Sequence, residues 1–187
     1  MDYRGAPYAG FWPRVAAKLL DALVLAPLMI AMIWAIQQSI AAYIVASVLV
    51  FLLGACYPVY FHGRWGATLG KMALSLKVVD KEGGVIGYRQ ALYRSSVDIG
   101  FALLSVVLLF LHVQDVAPES LEGLPAMKKM AAISASQASS VVSALMQLWV
   151  LTNALFLISN ARKRVVHDFI AQTAVIRLQK TEVTSQQ

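Results

Sequence analysis

The sequence predicts an all-α membrane protein: four transmembrane helices with a short cytoplasmic β-hairpin or small sheet. Three observations predict it. Of 187 residues, 59% are apolar and only 14% charged, where an ordinary soluble domain carries about a quarter charged residues. The apolar residues collect in four long runs instead of recurring at core-like intervals. The basic residues crowd the segments on one side of those runs.

The runs cover residues 15–36, 40–61, 97–113 and 141–158. A helix needs about 17–25 residues to cross a bilayer, so all four qualify. Only helices and closed barrels satisfy their backbone in lipid, and no run alternates polar and apolar in the barrel manner. The first run is long, carries Asp21 and precedes three more spans, so it reads as a retained helix and not a cleavable signal. The chain is then a single membrane domain, with a cytoplasmic link at 62–96, an outer link at 114–140 and a cytoplasmic tail at 159–187.

Basic residues set the orientation. Arg4, Arg14 and Lys18 surround the start of the first span. Arg64, Lys71, Lys77, Lys81, Arg89 and Arg94 lie between the second and third, and Arg162, Lys163, Arg164, Arg177 and Lys180 in the tail. The turn at 37–39 has none, and the outer link only Lys128 and Lys129 against Asp115, Glu119 and Glu122. Cytoplasmic segments near span ends are enriched in Lys and Arg, which puts both termini in the cytoplasm. The net charge of +6 thus follows the membrane surface. Its expected partners are anionic lipids at the cytoplasmic face, not nucleic acid. Trp12, Trp65, Tyr57 and Tyr60 read as inner interfacial anchors and Trp34 and Tyr43 as outer ones, whereas Trp149 reads as packing.

The link at 62–96 carries an amphipathic stretch at 66–76. Residues 76–79 read as a strand, Lys81-Glu-Gly83-Gly84 as a turn, and 85–88 as a returning strand. A lone hairpin is marginal in water, and a tail strand at 174–178 is placed to join it. The segment from Gly66 to Lys71 is one residue short of a phosphate-binding loop, and Met72 stands where Ser or Thr would hold magnesium, so a nucleotide site is rejected. In the outer link, 124–138 reads as a surface helix with Met127 and Met130 on one side. Methionines so spaced suit a soft metal, but an apolar stripe facing the membrane is the preferred reading. The single cysteine, Cys56, makes neither an internal disulfide nor a thiolate metal site. His62, His112 and His167 are dispersed, and no nucleophile–base–orienter set is visible. No enzyme activity, cofactor or metal is expected.

The informative residues are charges within or against the spans. On the first helix Lys18 lies about 40° and Asp21 about 20° from Arg14, at 3.6 residues per turn. Lys18 and Asp21 are placed to pair. Arg14 is two turns from Asp21 and needs a partner from elsewhere. Arg94 and Asp98 share a face of the third helix, and His167-Asp168 follows the fourth. An uncompensated charge at a span's centre costs roughly 3 kcal/mol. Arg14, Lys18, Asp21, Arg94, Asp98 and Asp168 are therefore expected to gather into one ion or proton network near the inner surface. Gln147, Asn153 and Asn160 would extend the polar interior. Two readings stand: Asp21 and Asp98 carry a cation or proton with Arg14 and Lys18 tuning them, or the charges pair to lock the helices.

These residues resemble the RDD family of bacterial membrane proteins, named for one Arg and two Asp. The first-helix pattern is Gly10-Phe-Trp-Pro-Arg14 through Asp21, with Arg at the helix start and Asp seven residues on. The central pattern is Gly66-Ala-Thr68-Leu-Gly70-Lys71 through Asp80, then Gly83 and Arg94, and the terminal one is His167-Asp168-Phe-Ile-Ala171-Gln-Thr173. Lys18 and Gln172 depart from it: Lys18 adds a cation where the pattern runs apolar, and Gln172 replaces a common Gly. The resemblance implies that Arg14, Asp21 and Asp168 are signature residues and that the protein sits in the bacterial inner membrane. Ion transport has been suggested within the family. The function expected is small monovalent cation/proton transport built on the Arg/Asp network, in a homo-oligomer because four short spans enclose little volume. Ala31 with Ala35 and Ala42 with Ala46 offer small faces for helix contact. The alternative is a non-transporting accessory protein that docks a partner or anionic lipid through its basic loop and tail.

Overall fold

The computed structural model describes residues 5–160 and 163–178. Four long helices dominate: α1 (Phe11–Gln38), α2 (Ile40–Trp65), α4 (Tyr88–Val113) and α6 (Gln137–Ser159). Each is long and apolar enough to cross a membrane. Between them stand α3 (Leu69–Ala73), β1 (Leu76–Asp80), a 3-10 turn (Pro118–Leu121) and α5 (Ala126–Ser134), and α7 (Val166–Ile170) and β2 (Thr173–Arg177) follow. Along the spans, large apolar side chains such as Leu23, Leu53, Val107 and Leu151 point outward. Only an apolar solvent tolerates that pattern on four neighbouring helices, and the chain is a multi-pass membrane protein.

α2 is the hub, packed against both α1 and α4, while α6 leans on α4. Ser39 alone separates α1 from α2: its extended backbone reverses the chain and its hydroxyl accepts from Ala42 N at 3.0 Å, the usual work of an N-cap serine. Buried apolar clusters sit at the two ends. One holds Ala17, Leu76, Val78, Ile86 and Val175; the other holds Ile36, Tyr43, Leu121 and Ile133.

The helices outrun the hydropathy runs. α1 starts at Phe11, α4 at Tyr88 and α6 at Gln137, where the apolar runs begin at 15, 97 and 141. The extra turns are amphipathic: Ala91, Arg94 and Ser95 of α4 are buried against protein. A window that scores apolarity reports the lipid-facing part of a helix and misses its polar continuation.

The small sheet pairs β1 with β2, antiparallel, with Val78 opposite Val175. The returning strand expected at 85–88 does not form; Val85 makes a single bridge to Val79 and Tyr88 already begins α4. Asp80 explains the difference. Its Oδ1 accepts from the N–H groups of Glu82 and Gly84, both at 2.8 Å, which closes the turn around Gly83 at φ +87°. Ile86 then dives into the core and Gly87 opens the helix. The N-terminal segment covers the other edge of β2, with Ala9 N donating to Val175 O and Arg177 N to Pro7 O, each at 2.9 Å. Arg4, Arg162, Lys180 and the tail beyond residue 178 lie outside the described residues.

The link opposite the sheet folds back onto the bundle. Ile133 of α5 is fully buried and Met130 packs beside it, while Met127 stays exposed, so the two methionines do not share one stripe. Tyr43, read as an interfacial anchor, is buried there as well. Ala35 is buried within this chain and is not free to serve an outer contact.

Candidate functional site

The charges collect at the end of the bundle that carries the sheet. Arg14 projects from the second turn of α1. Its Nε donates to Ala9 O at 3.2 Å, its Nη1 to Asp168 Oδ2 at 3.0 Å and its Nη2 to Lys163 O at 2.5 Å. Arg94, two turns into α4, donates from Nη1 to the other oxygen of Asp168 and to Thr173 Oγ1 at 2.8 Å. Its Nη2 lies 3.1 Å from His167 Nε2. A guanidinium only donates, so His167 accepts there and carries its proton on Nδ1. Asp168 also accepts Val165 N–H at 3.1 Å, reaching back across the first turn of α7 as an N3 carboxylate does. It is 0% exposed.

Burial by itself disfavours the charge on Asp168, but Arg94 and Arg14, with the Val165 N–H, outweigh it and hold the carboxyl well below its usual range. His167 is pushed well below its ordinary 6.5, first by burial and then by Arg94, with Asp168 opposing. It is neutral at physiological pH. The Asp168 shift follows from one carboxylate shared by two arginines, and the His167 shift chiefly from burial, with Arg94 adding to it.

Asp21 belongs to a separate knot half-buried beside it. Its Oδ1 accepts from Tyr57 Oη and Gly70 N, both at 2.7 Å, and its Oδ2 from Thr68 Oγ1 at 2.6 Å. Tyr57 Oη in turn accepts Leu69 N–H at 3.1 Å. Asp21 therefore staples α1 to α2 and to the start of α3. Gly70 makes this possible: a Cβ there would stand 2.2 Å from Ala17 O. Next to it, His62 Nδ1 donates to Pro58 O at 2.7 Å, which leaves Nε2 to accept from Lys71 Nζ at 2.7 Å. Burial, then Arg94, pushes the Lys71 ammonium well below its ordinary value, with Asp168 opposing in part.

The six residues expected in one network divide three ways. Arg14, Arg94 and Asp168 meet. Asp21 is held apart by neutral donors. Lys18 is exposed and, among the described residues, forms no ion pair with Asp21, because the carboxylate is already taken by groups on α2 and the following link. Asp98 is exposed and accepts from Trp149 Nε1 at 2.9 Å, so Trp149 does more than pack. Gln147 is exposed, and Asn153 Nδ2 donates to Trp149 O of its own helix while its buried Oδ1 has no partner in the described residues. Tyr57, His62, Thr68, Gly70, Lys71, His167 and Thr173 were not among the expected network, though Thr68, Gly70, Lys71, His167 and Thr173 stand inside the three motifs. Among the described residues no three His, Cys, Asp or Glu side chains gather.

What this arrangement does chemically is hold charge still. Every oxygen of Asp21 and Asp168 has a donor, and the donors come from α1, α2, α3, α4 and the N-terminus of α7. The RDD family model matches residues 8–172, most of the chain. Neither curated proteins nor solved structures provide a match.

Proposed function

This chain belongs to the RDD family, and from that footing we propose that it is a non-transporting accessory protein of the bacterial inner membrane. In this reading the signature residues Arg14, Asp21 and Asp168 form a lock that fixes one end of the bundle, without catalysis of their own. The basic end faces the cytoplasm and docks an acidic surface, of lipid headgroups or a partner protein.

One observation carries the reading: the signature carboxylates are saturated. A carrier must exchange its partners for an ion or proton in each cycle. Asp21 would have to release three hydrogen bonds, each to a charged acceptor and worth roughly 1.5–3 kcal/mol. Asp168 would have to leave two arginines uncompensated. The docking half of the reading is supported by Arg64, Lys81, Arg89 and Arg177, all exposed at that end.

A second reading, monovalent cation/proton exchange, is favoured by Asp98 instead of Asp21. Asp98 is an exposed carboxylate on a spanning helix with one donor among the described residues, and Asn153 Oδ1, without a partner among them, lies on the helix that supplies that donor.

Purified protein in liposomes decides between them. Under sodium, potassium or lithium gradients, the native protein is expected to show no proton-coupled flux above empty vesicles. Flux that vanishes in Asp98→Asn would overturn the accessory reading and install the second. The docking half is checked by native mass spectrometry of protein extracted with its membrane. Bound anionic lipid or an acidic partner should be lost in the triple variant Arg64→Glu/Lys81→Glu/Arg89→Glu, and retention unchanged by that variant would sink it.

A further inference from the structure

Lys18 and Asp98 are left over from the network, and each stands one turn beyond an arginine of the clamp on its own helix. Arg14 and Arg94 grip the two oxygens of one carboxylate, Asp168, which brings their guanidinium groups to a common level. α1 and α4 both run away from that level along their spans. Lys18 follows Arg14 by four residues, and Asp98 follows Arg94 by four. Each therefore stands about 6 Å further along its helix, at 1.5 Å per residue.

Both side chains are exposed, they have opposite charge, and among the described residues they form no ion pair with one another or with any other residue. α2 packs against both of their helices, so one chain presents them from different members of the bundle. The surrounding surface is apolar: Leu19 and Leu23 are exposed on the helix that carries Lys18, and Leu145 and Leu148 on the helix whose Trp149 holds Asp98. Such a surface meets lipid or protein with little preference. The charges do discriminate. A lysine stem reaches back to the headgroups, but the short side chain of an aspartate does not, and its one indole donor leaves an oxygen free.

We propose that Asp98 of one copy pairs with Lys18 of a second copy of this chain. The contact matches charge against charge, each one turn beyond the arginine clamp, and its apolar margins seal the pair from water. It is an interface in which different surfaces of the two copies meet; such contacts either repeat around a closed ring or, in a twofold dimer, occur twice. The proposal does not rest on the accessory reading, because it concerns how copies meet and not what the basic end docks.

The test uses two differently tagged full-length copies, both carrying Cys56→Ser because Cys56 is exposed. One copy carries Lys18→Cys and the other Asp98→Cys. Coexpressed and treated with a short bismaleimide in membranes, they should give a product bearing both tags, several-fold above either variant expressed alone. Separately, fluorescence energy transfer between native copies in liposomes should fall to the level of non-interacting membrane proteins in Lys18→Asp and in Asp98→Lys. It should return in the chain carrying both changes, with thermal melting confirming that each variant is folded. Absence of the mixed product, native copies without energy transfer, or folded single variants that associate as the native chain does would each overturn the proposal.

Discussion

Replacing Gly70 by alanine should unfasten α3 from α1 at a measurable cost. A Cβ at this position would sit 2.2 Å from the carbonyl oxygen of Ala17 and 2.9 Å from both the amide nitrogen and Oδ1 of Asp21. The nearest of these is backbone of a spanning helix and cannot swing aside, so α3 must retreat by about 1 Å to reach van der Waals distance. The 2.7 Å bond from Gly70 N to Asp21 Oδ1 then lengthens to about 3.7 Å, which is no longer a hydrogen bond. A bond to a charged acceptor contributes roughly 1.5–3 kcal/mol, and overpacking costs about 1–3 kcal/mol more. The sum is about 2.5–6 kcal/mol. At roughly 2–4 °C per kcal/mol for a chain of this size, the melting temperature should fall by about 5–24 °C. Tryptophan fluorescence during heating, in one fixed detergent, reads it. Gly54→Ala and Gly100→Ala serve as controls, since nothing lies within 4 Å of a Cβ at either. Both should melt with the native protein or slightly above it, because alanine restricts the unfolded chain. A Gly70→Ala protein melting within about 3 °C of native would refute the close approach on which the Asp21 knot depends.

Asp168→Asn should destabilise by about 3–5 kcal/mol, the range for removing one partner of a buried ion pair, and the same melting assay measures it. Asp168 has a folded pKa held below its ordinary 3.8, so its contribution is complete above about pH 4 and is lost as pH falls through the depressed value. His167 acts in a higher window. Its folded pKa is pushed below 6.5, so the unfolded chain takes up a proton that the folded one refuses, and stability declines as pH drops from 7 toward 5. His167→Gln should reduce that decline, and an unchanged slope would count against a neutral His167. Asn153→Leu removes a buried oxygen that has no partner in the described residues; the variant should melt at the native temperature or higher, and a drop of several degrees would mean that the oxygen is engaged in the membrane.

The spans were legible because lipid acts on each residue independently, and a run of leucines and valines reports it without reference to anything else. Contacts depend on folding and were harder to read. Lys18 stands three residues from Asp21, the spacing that lets helix neighbours pair, yet Tyr57, Thr68 and Gly70 reach Asp21 from up to 49 residues away. Neutral donors leave no mark in a count of charges, so balancing three cations against three carboxylates drew in Lys18 and Asp98 and passed over Thr68. The need of Arg14 for a distant partner was readable from charge, but that partner, Asp168, lies 154 residues on. The small sheet and its tail strand were legible, but the returning strand was not, for a local reason: 85–88 is apolar enough for a strand, yet the Asp80 turn and the burial of Ile86 send the chain into a helix.

The arginine clamp also imposes an order on biogenesis. Arg14 enters with the first span and Arg94 with the third, yet their shared counterion on α7 is synthesised only after all four spans have emerged. Until residues 166–177 fold back, each arginine that will flank Asp168 lacks the carboxylate that compensates it. A chain that ends before that point keeps its spans but not its clamp, because the carboxylate shared by Arg14 and Arg94 is missing. The last short helix thus closes the bundle, and only the full-length chain has both arginines compensated.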